Sequence, residues 1–139
     1  MSGSLDPEKT RLMRSDKFAS HMAVELVEVA EGRAVARMEL SDIHRNFMGT
    51  VHGGATFAAD DVAFAAAANS GGNLSMAFHI SINYIAPSGD TPYLEAEVTR
   101  TGRAGRAGHY SMQVRNASGE PVAVLSGWAY QTSRPLKEG

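Results

Sequence analysis

The chain has no cysteine among its 139 residues, which excludes a disulfide framework, a thiolate zinc site and a cysteine nucleophile together. It has no marked excess of charge of either sign. Thirteen basic and 15 acidic residues are spread along it for a formal net charge of −2, so no positive field is available to hold nucleic acid. No stretch approaches the roughly 20 consecutive apolar residues that a membrane span needs. The opening residues MSGSLDPEKTRLMRSDKF also lack the apolar centre of a secretion signal. His44 and His52 stand eight residues apart with no HExxH-like spacing, so no metal site is expected. These absences predict a soluble protein of the reducing cytoplasm, with neither nucleic acid nor membrane as partner.

What is present is enough apolar material for a core: 43% of the residues are hydrophobic, and the length suits a single domain over 1–139. Residues 1–20 read as a leading helical segment. Behind Pro7, Leu12, Met13, Phe18 and Met22 recur at helical spacing. Val24–Val29 and Arg33–Leu40 are β-prone runs around Ala30-Glu31-Gly32 and predict a hairpin. A loop composition over 41–53 precedes an Ala-rich helix from Gly54 to Ala68, closed near Asn69-Ser70-Gly71-Gly72. From Ser75 the period switches to two, with Ile80, Ile82 and Tyr84 alternating with Ser81 and Asn83. Strands are then predicted over Tyr93–Arg100, His109–Arg115 and Val122–Tyr130. One central helix against four strands that pair as an antiparallel meander is an α+β arrangement.

Within the long helix, Phe57, Asp61, Phe64 and Ala68 follow at steps of four, three and four and share one face. A helix so rich in Ala and Phe is largely buried, and an unpaired buried carboxylate costs several kcal/mol or is driven toward its neutral form. Asp61 is therefore either held by a structural partner or a nucleophile or general base in a cleft. Asp60, about 100° round the helix, is the alternative carboxylate or its solvent-facing neighbour. Val51-His52-Gly53-Gly54 leads straight into this helix, whose first amides and positive dipole end suit a developing oxyanion. Gly53 and Gly54, lacking a β-carbon, would admit a thioester carbonyl to their amides; the bland reading is a turn needed only for backbone geometry. His52 reads equally as a core histidine. The carboxylate lies about 10 Å from the helix start at 1.5 Å per residue, too far for one carbonyl to touch both. A second copy of the helix across a two-fold interface would complete the site.

The run from Asn46 to Ser70, NFMGTVHGGATFAADDVAFAAAANS, resembles the phenylacetate-degradation (PaaI) branch of the hotdog thioesterases. It combines Asn-x-x-Gly-x-x-His-Gly-Gly, an Asp nine residues after the His, an Ala-Phe pair and a closing Asn-Ser. Weaker similarity extends from about Asp16 to Tyr130, including Tyr84-x-x-Pro87. The resemblance implies a hotdog fold, in which an antiparallel sheet wraps a long central helix. It also implies dimers that commonly pair into homotetramers, and hydrolysis of an aryl- or medium-chain acyl-CoA without a cofactor. By the same resemblance Asp61 is the nucleophile or general base, and the Gly53 amide polarises the carbonyl from the other subunit. Asn46 and His52 would orient thioester or water, with Ser70 a supporting hydroxyl. The pattern departs at Ala59-Asp60, where the family has Leu-Ala, and at Ser15, where it has a polar Asn.

For the CoA moiety, Arg100, Arg103 and Arg106 recur every three residues between two strands and are candidates for its phosphates, unless they are only a solvated turn. Phe57, Phe64 and Met76 either line an acyl pocket with Gly54 or belong to the core. Two other functions compete: a hotdog hydratase or dehydratase, for which no separate acid/base pair is found, and a non-catalytic acyl-CoA-binding module, for which a buried carboxylate is unnecessary.

Overall fold

The computed structural model describes Leu5 and residues 7–137. The leading segment forms two short helices rather than one, α1 (Pro7–Arg14) and α2 (Lys17–His21). The break falls at Asp16, which adopts an extended conformation and accepts the Ala19 amide at 3.0 Å, capping α2. β1 (Val24–Ala30) and β2 (Arg33–Glu39) form the expected hairpin. A short 3-10 turn at Asp42–His44 precedes α3 (Gly53–Ala68). Then come β3 (Asn73–Tyr84), β4 (Tyr93–Ala104), β5 (Ala107–Asn116) and β6 (Pro121–Pro135).

All six strands join one antiparallel sheet in the order β1-β2-β4-β5-β6-β3. The expected meander of the last four strands is thus only partly formed. β4, β5 and β6 are successive neighbours, but β3 crosses to the far edge beside β6, and β2 takes the position next to β4. The connection from β3 to β4 carries Pro87 and Pro92 and is no hairpin turn. In contrast, the β2–β4 pairing sets Ala34, Ala36 and Met38 against Val98, Ala96 and Leu94, all buried completely. Apolar burial on that scale outweighs the closeness in sequence of β3 to β4.

The core lies between α3 and one face of this sheet. Ala59, Ala63 and Ala67 present methyl groups to the strands, so the helix can lie close to them, and Phe64 packs on Tyr110 with ring centroids 5.2 Å apart. Gly127 sits under this contact. A β-carbon there would come within 2.9 Å of Phe64 and Met112, so only glycine fits. The opposite face carries charge, with Arg33 bridging Glu28 and Glu97 and Arg115 reaching Glu97. At the sheet edge β3 has neither proline nor any Lys, Arg, Asp or Glu, and it exposes Met76 and Phe78. An edge of this length without charge or proline is unprotected against pairing with another strand.

Candidate active site

The loop before α3 is tied down from inside. Buried His44 accepts the Ser41 amide at Nδ1 and reaches the Met22 carbonyl through Nε2 at 2.7 Å, while its own carbonyl accepts the His52 amide. That histidine is structural, and it delivers His52 to the helix start. Further along the loop, the Asn46 side-chain oxygen accepts from the amides of Met48 and Thr50 and from the Thr50 hydroxyl. Three donors on one oxygen fix the orientation of the amide and leave its NH2 group free among the described residues to donate to a ligand.

His52 is the N-cap of α3, with Nδ1 accepting the Gly54 amide at 2.9 Å. A neutral ring used this way carries its proton on Nε2. The bond also spends the Gly54 amide, so of the two glycine amides only that of Gly53 is unengaged among the described residues. The Gly53 carbonyl in turn accepts the Tyr84 hydroxyl at 2.9 Å. Tyr84 carried no assigned role in the sequence, although Tyr84-x-x-Pro87 marked it as part of a motif. A cavity of about 390 Å³ opens here between Gly53, Thr56 and the Tyr84–Ser88 segment. Removing the cap with His52→Ala is expected to cost about 1 kcal/mol of stability, read as a lower urea midpoint at unchanged slope.

The structure reverses the burial of the two carboxylates. Asp60 is 0% exposed and neither of its oxygens has a hydrogen-bond partner among the described residues, whereas Asp61 is exposed. Asp60 points into the core face with Thr56, Ala63 and Phe64, while Asp61 shares a narrow exposed stripe with Gly54 and Ala65. The two aromatic residues that predict Asp61's face part company with it: Phe64 is buried in the core and Phe57 is half-buried. Burial, and secondarily the charge of Asp61, pushes Asp60 up to about 8. Asp61 is also raised above the ordinary carboxylate range, by partial burial first and then by the charge of Asp16. Asp16 was missed as a site neighbour. Its only sequence signal is that of an N-cap.

The remaining candidates are dispersed. Ser70 is buried, donating to the Ala67 carbonyl and accepting the Gly32 amide, each at 2.7 Å. These two bonds strap the end of α3 to the β1–β2 turn. Arg103 belongs to β4 and Arg106 to the turn after it, where its guanidinium donates to the Gln131 carbonyl at 3.1 Å. This hairpin lies beside Tyr130, whereas Tyr84 and Gly53 lie beside Ala123. Seven residues of β6 separate the two ends, roughly 23 Å at strand spacing. A single chain does not bring the arginines to the helix start.

A model of the family described as the thioesterase superfamily matches residues 48–123. A candidate esterase of Archaeoglobus fulgidus is 30% identical over 90% of this chain and 81% of its own length. The acyl-coenzyme A thioesterase PaaI of Escherichia coli is 29% identical over 86% of each chain. A solved structure of the E. coli PaaI protein from the phenylacetic acid degradation operon superposes with a TM-score of 0.87, at 24% identity, over 94% of this chain and 95% of that one. No helix among the described residues is long and apolar enough to cross a membrane.

Proposed function

The chain belongs to the thioesterase superfamily and is a thioester hydrolase of the PaaI type with a hotdog fold; from that premise we propose that it hydrolyses an aryl- or medium-chain acyl-CoA to the free acid and CoA in the cytoplasm. One observation carries the reading. The exposed stripe of an otherwise buried helix holds a carboxylate, Asp61, while the unengaged Gly53 amide stands at the start of the same helix. These are the two groups that acyl transfer to water requires, and they lie about 12 Å apart along the axis.

Two copies resolve that separation. Pairing of the unprotected β3 edge with its two-fold mate would run the two sheets into one and lay the two copies of α3 antiparallel. The Gly53 end of one helix then faces the Asp61 stripe of the other. The thioester oxygen accepts the Gly53 amide, aided by the positive end of the helix, as negative charge develops on it. Asp61 of the second copy either takes a proton from the attacking water or attacks the carbonyl carbon itself, forming an acyl anhydride that water then hydrolyses to the free acid and the carboxylate. Collapse of the tetrahedral adduct expels the CoA thiolate, which is protonated by Asp61 on the water route and by solvent on the direct route. The Asn46 NH2 group and His52 Nε2–H are the donors that orient thioester or water, and half-buried Phe57 borders the acyl group. The same antiparallel pairing carries the Arg103–Arg106 hairpin of one copy toward the helix start of the other, where CoA phosphates would extend.

Thiol release from phenylacetyl-, hydroxyphenylacetyl-, benzoyl- and straight-chain CoAs is the first test, and the reading fails if none is hydrolysed. The shared site has a sharper one. Gly53→Pro removes the amide hydrogen at the first helical position, where proline is tolerated, and Gly53→Ala keeps the hydrogen while adding the same β-carbon near Tyr84. We expect Gly53→Pro and Asp61→Ala each to be inactive alone. Co-expressed in one dimer they should regain about half the activity, because one of the two sites is then intact. No recovery would mean that each chain carries its own site.

A further inference from the structure

Beside the Asp61 stripe a groove follows α3 toward its C-terminal end. Two cavities of about 290 and 420 Å³ lie in series between α3 and the leading helix α1, sharing Leu12, Met13, Asn69 and Leu136 as walls. The floor of the first is Val62, Ala65 and Ala66, so it begins one residue beyond Asp61 and continues along the same flank of the helix. Asp16, whose charge acts on the Asp61 carboxylate, lines the same end. The far end opens between Lys9 and Lys137.

Resting on the hydrolase reading above, we propose that this groove receives the acyl tail, and that the substrate class is a straight-chain acyl-CoA of medium length rather than an aryl-CoA. Three features argue for it. First, the groove is long: eight residues from Asp61 to Asn69 span about 12 Å of helix, the reach of roughly ten bonds of an extended chain. Second, the walls common to both cavities are aliphatic and thioether, Leu12, Met13 and Leu136, continued beside Asp61 by Leu26, Val62 and the methyls of Ala65 and Ala66, while the second cavity also carries the charged side chains of Glu8, Lys9, Arg11 and Lys137 at its rim. No aromatic ring lines either cavity, so beyond Phe57 a planar aryl group would find no face to stack on along the groove. Third, Ala65 and Ala66 keep the floor low where any larger residue would block passage, and Met13 is the flexible wall common to both cavities, suited to adjusting around a chain.

The test is a chain-length series of acyl-CoAs from two to twelve carbons, with phenylacetyl-CoA beside it, on wild type and two variants. Wild type should gain in kcat/KM with each methylene by up to about fourfold until the groove is filled, and exceed phenylacetyl-CoA at its optimum. Ala65→Phe, built at an exposed helix position, should flatten that rise so that the ratio of octanoyl- to acetyl-CoA falls at least tenfold. Met13→Ala, which widens the groove, should instead move the optimum to longer chains, so that a misfolded Ala65→Phe still leaves the proposal exposed to refutation. A flat length profile in wild type, an optimum on phenylacetyl-CoA, or variants with an unshifted profile would overturn the groove while leaving the hydrolase reading intact. Absence of any turnover in wild type would refute the hydrolase reading and the groove with it.

Discussion

Asp61→Asn is expected to lower kcat by about 10²- to 10⁴-fold without loss of fold, and Asp60→Ala to keep turnover within severalfold of wild type. The amide is nearly isosteric with the carboxylate and sits on the exposed stripe, so packing is unchanged and only the basic oxygen is lost. In the proposed mechanism Asp61 acts in its ionised form, so activity should fall as pH drops through its pKa. That pKa is raised by partial burial and by Asp16, so the acid limb of kcat/KM should lie above the ordinary aspartate value of about 3.9. Asp16→Asn, which preserves the cap of α2 because asparagine caps as well as aspartate, should move that limb to lower pH. Near-wild-type turnover in Asp61→Asn, paired with an inactive Asp60→Ala, would transfer the chemistry to the neighbouring carboxylate.

Asp60→Ala has the second large effect, on stability. In the folded chain the Asp60 carboxyl titrates at about 8, against about 3.9 when unfolded. Between these values the unfolded state releases the proton first, so folding stability falls as pH rises from about 4 to about 8 and levels off above. Four units at 1.36 kcal/mol each set the loss on the order of 5 kcal/mol. Alanine has nothing to ionise. The variant should therefore be more stable than wild type, by a margin that grows between pH 5 and pH 9. Urea unfolding at both values, at one fixed protomer concentration, measures it. A margin independent of pH would mean that Asp60 finds a partner that holds its charge.

An Ala-rich helix is also where sequence reading has least purchase. In α3 nearly every position is apolar, so the pattern announces a buried helix but hardly indicates which arc faces the strands. Phe57 and Phe64 suggested one face with Asp61, but Phe64 turns into the core against Tyr110 and Phe57 is only half-buried. The core face is instead the row of alanines that lets the helix approach the sheet, and Asp60 falls in that row. Likewise Gly53 and Gly54 are equivalent on paper. Only the fold turns the His52 ring back onto one of their amides and leaves the other unengaged.

By itself the sequence determined the type and order of the elements, the β1–β2 hairpin, the helix from the His-Gly-Gly run to Asn-Ser, and the family, because these depend on local period, turn residues and spacing. It also nominated Asp61 as the candidate carboxylate, through a motif whose distances run along the chain. The tertiary structure decided what depends on contacts between distant segments. It moved β3 from the meander to an open edge, because β2 buries more apolar surface against β4. It bound Ser70 into the β1–β2 turn and set the arginine hairpin at the opposite end of the sheet from the helix start. It also sorted two adjacent carboxylates, identical in chemistry, into one exposed and one enclosed, since 100° of helix rotation separates solvent from core.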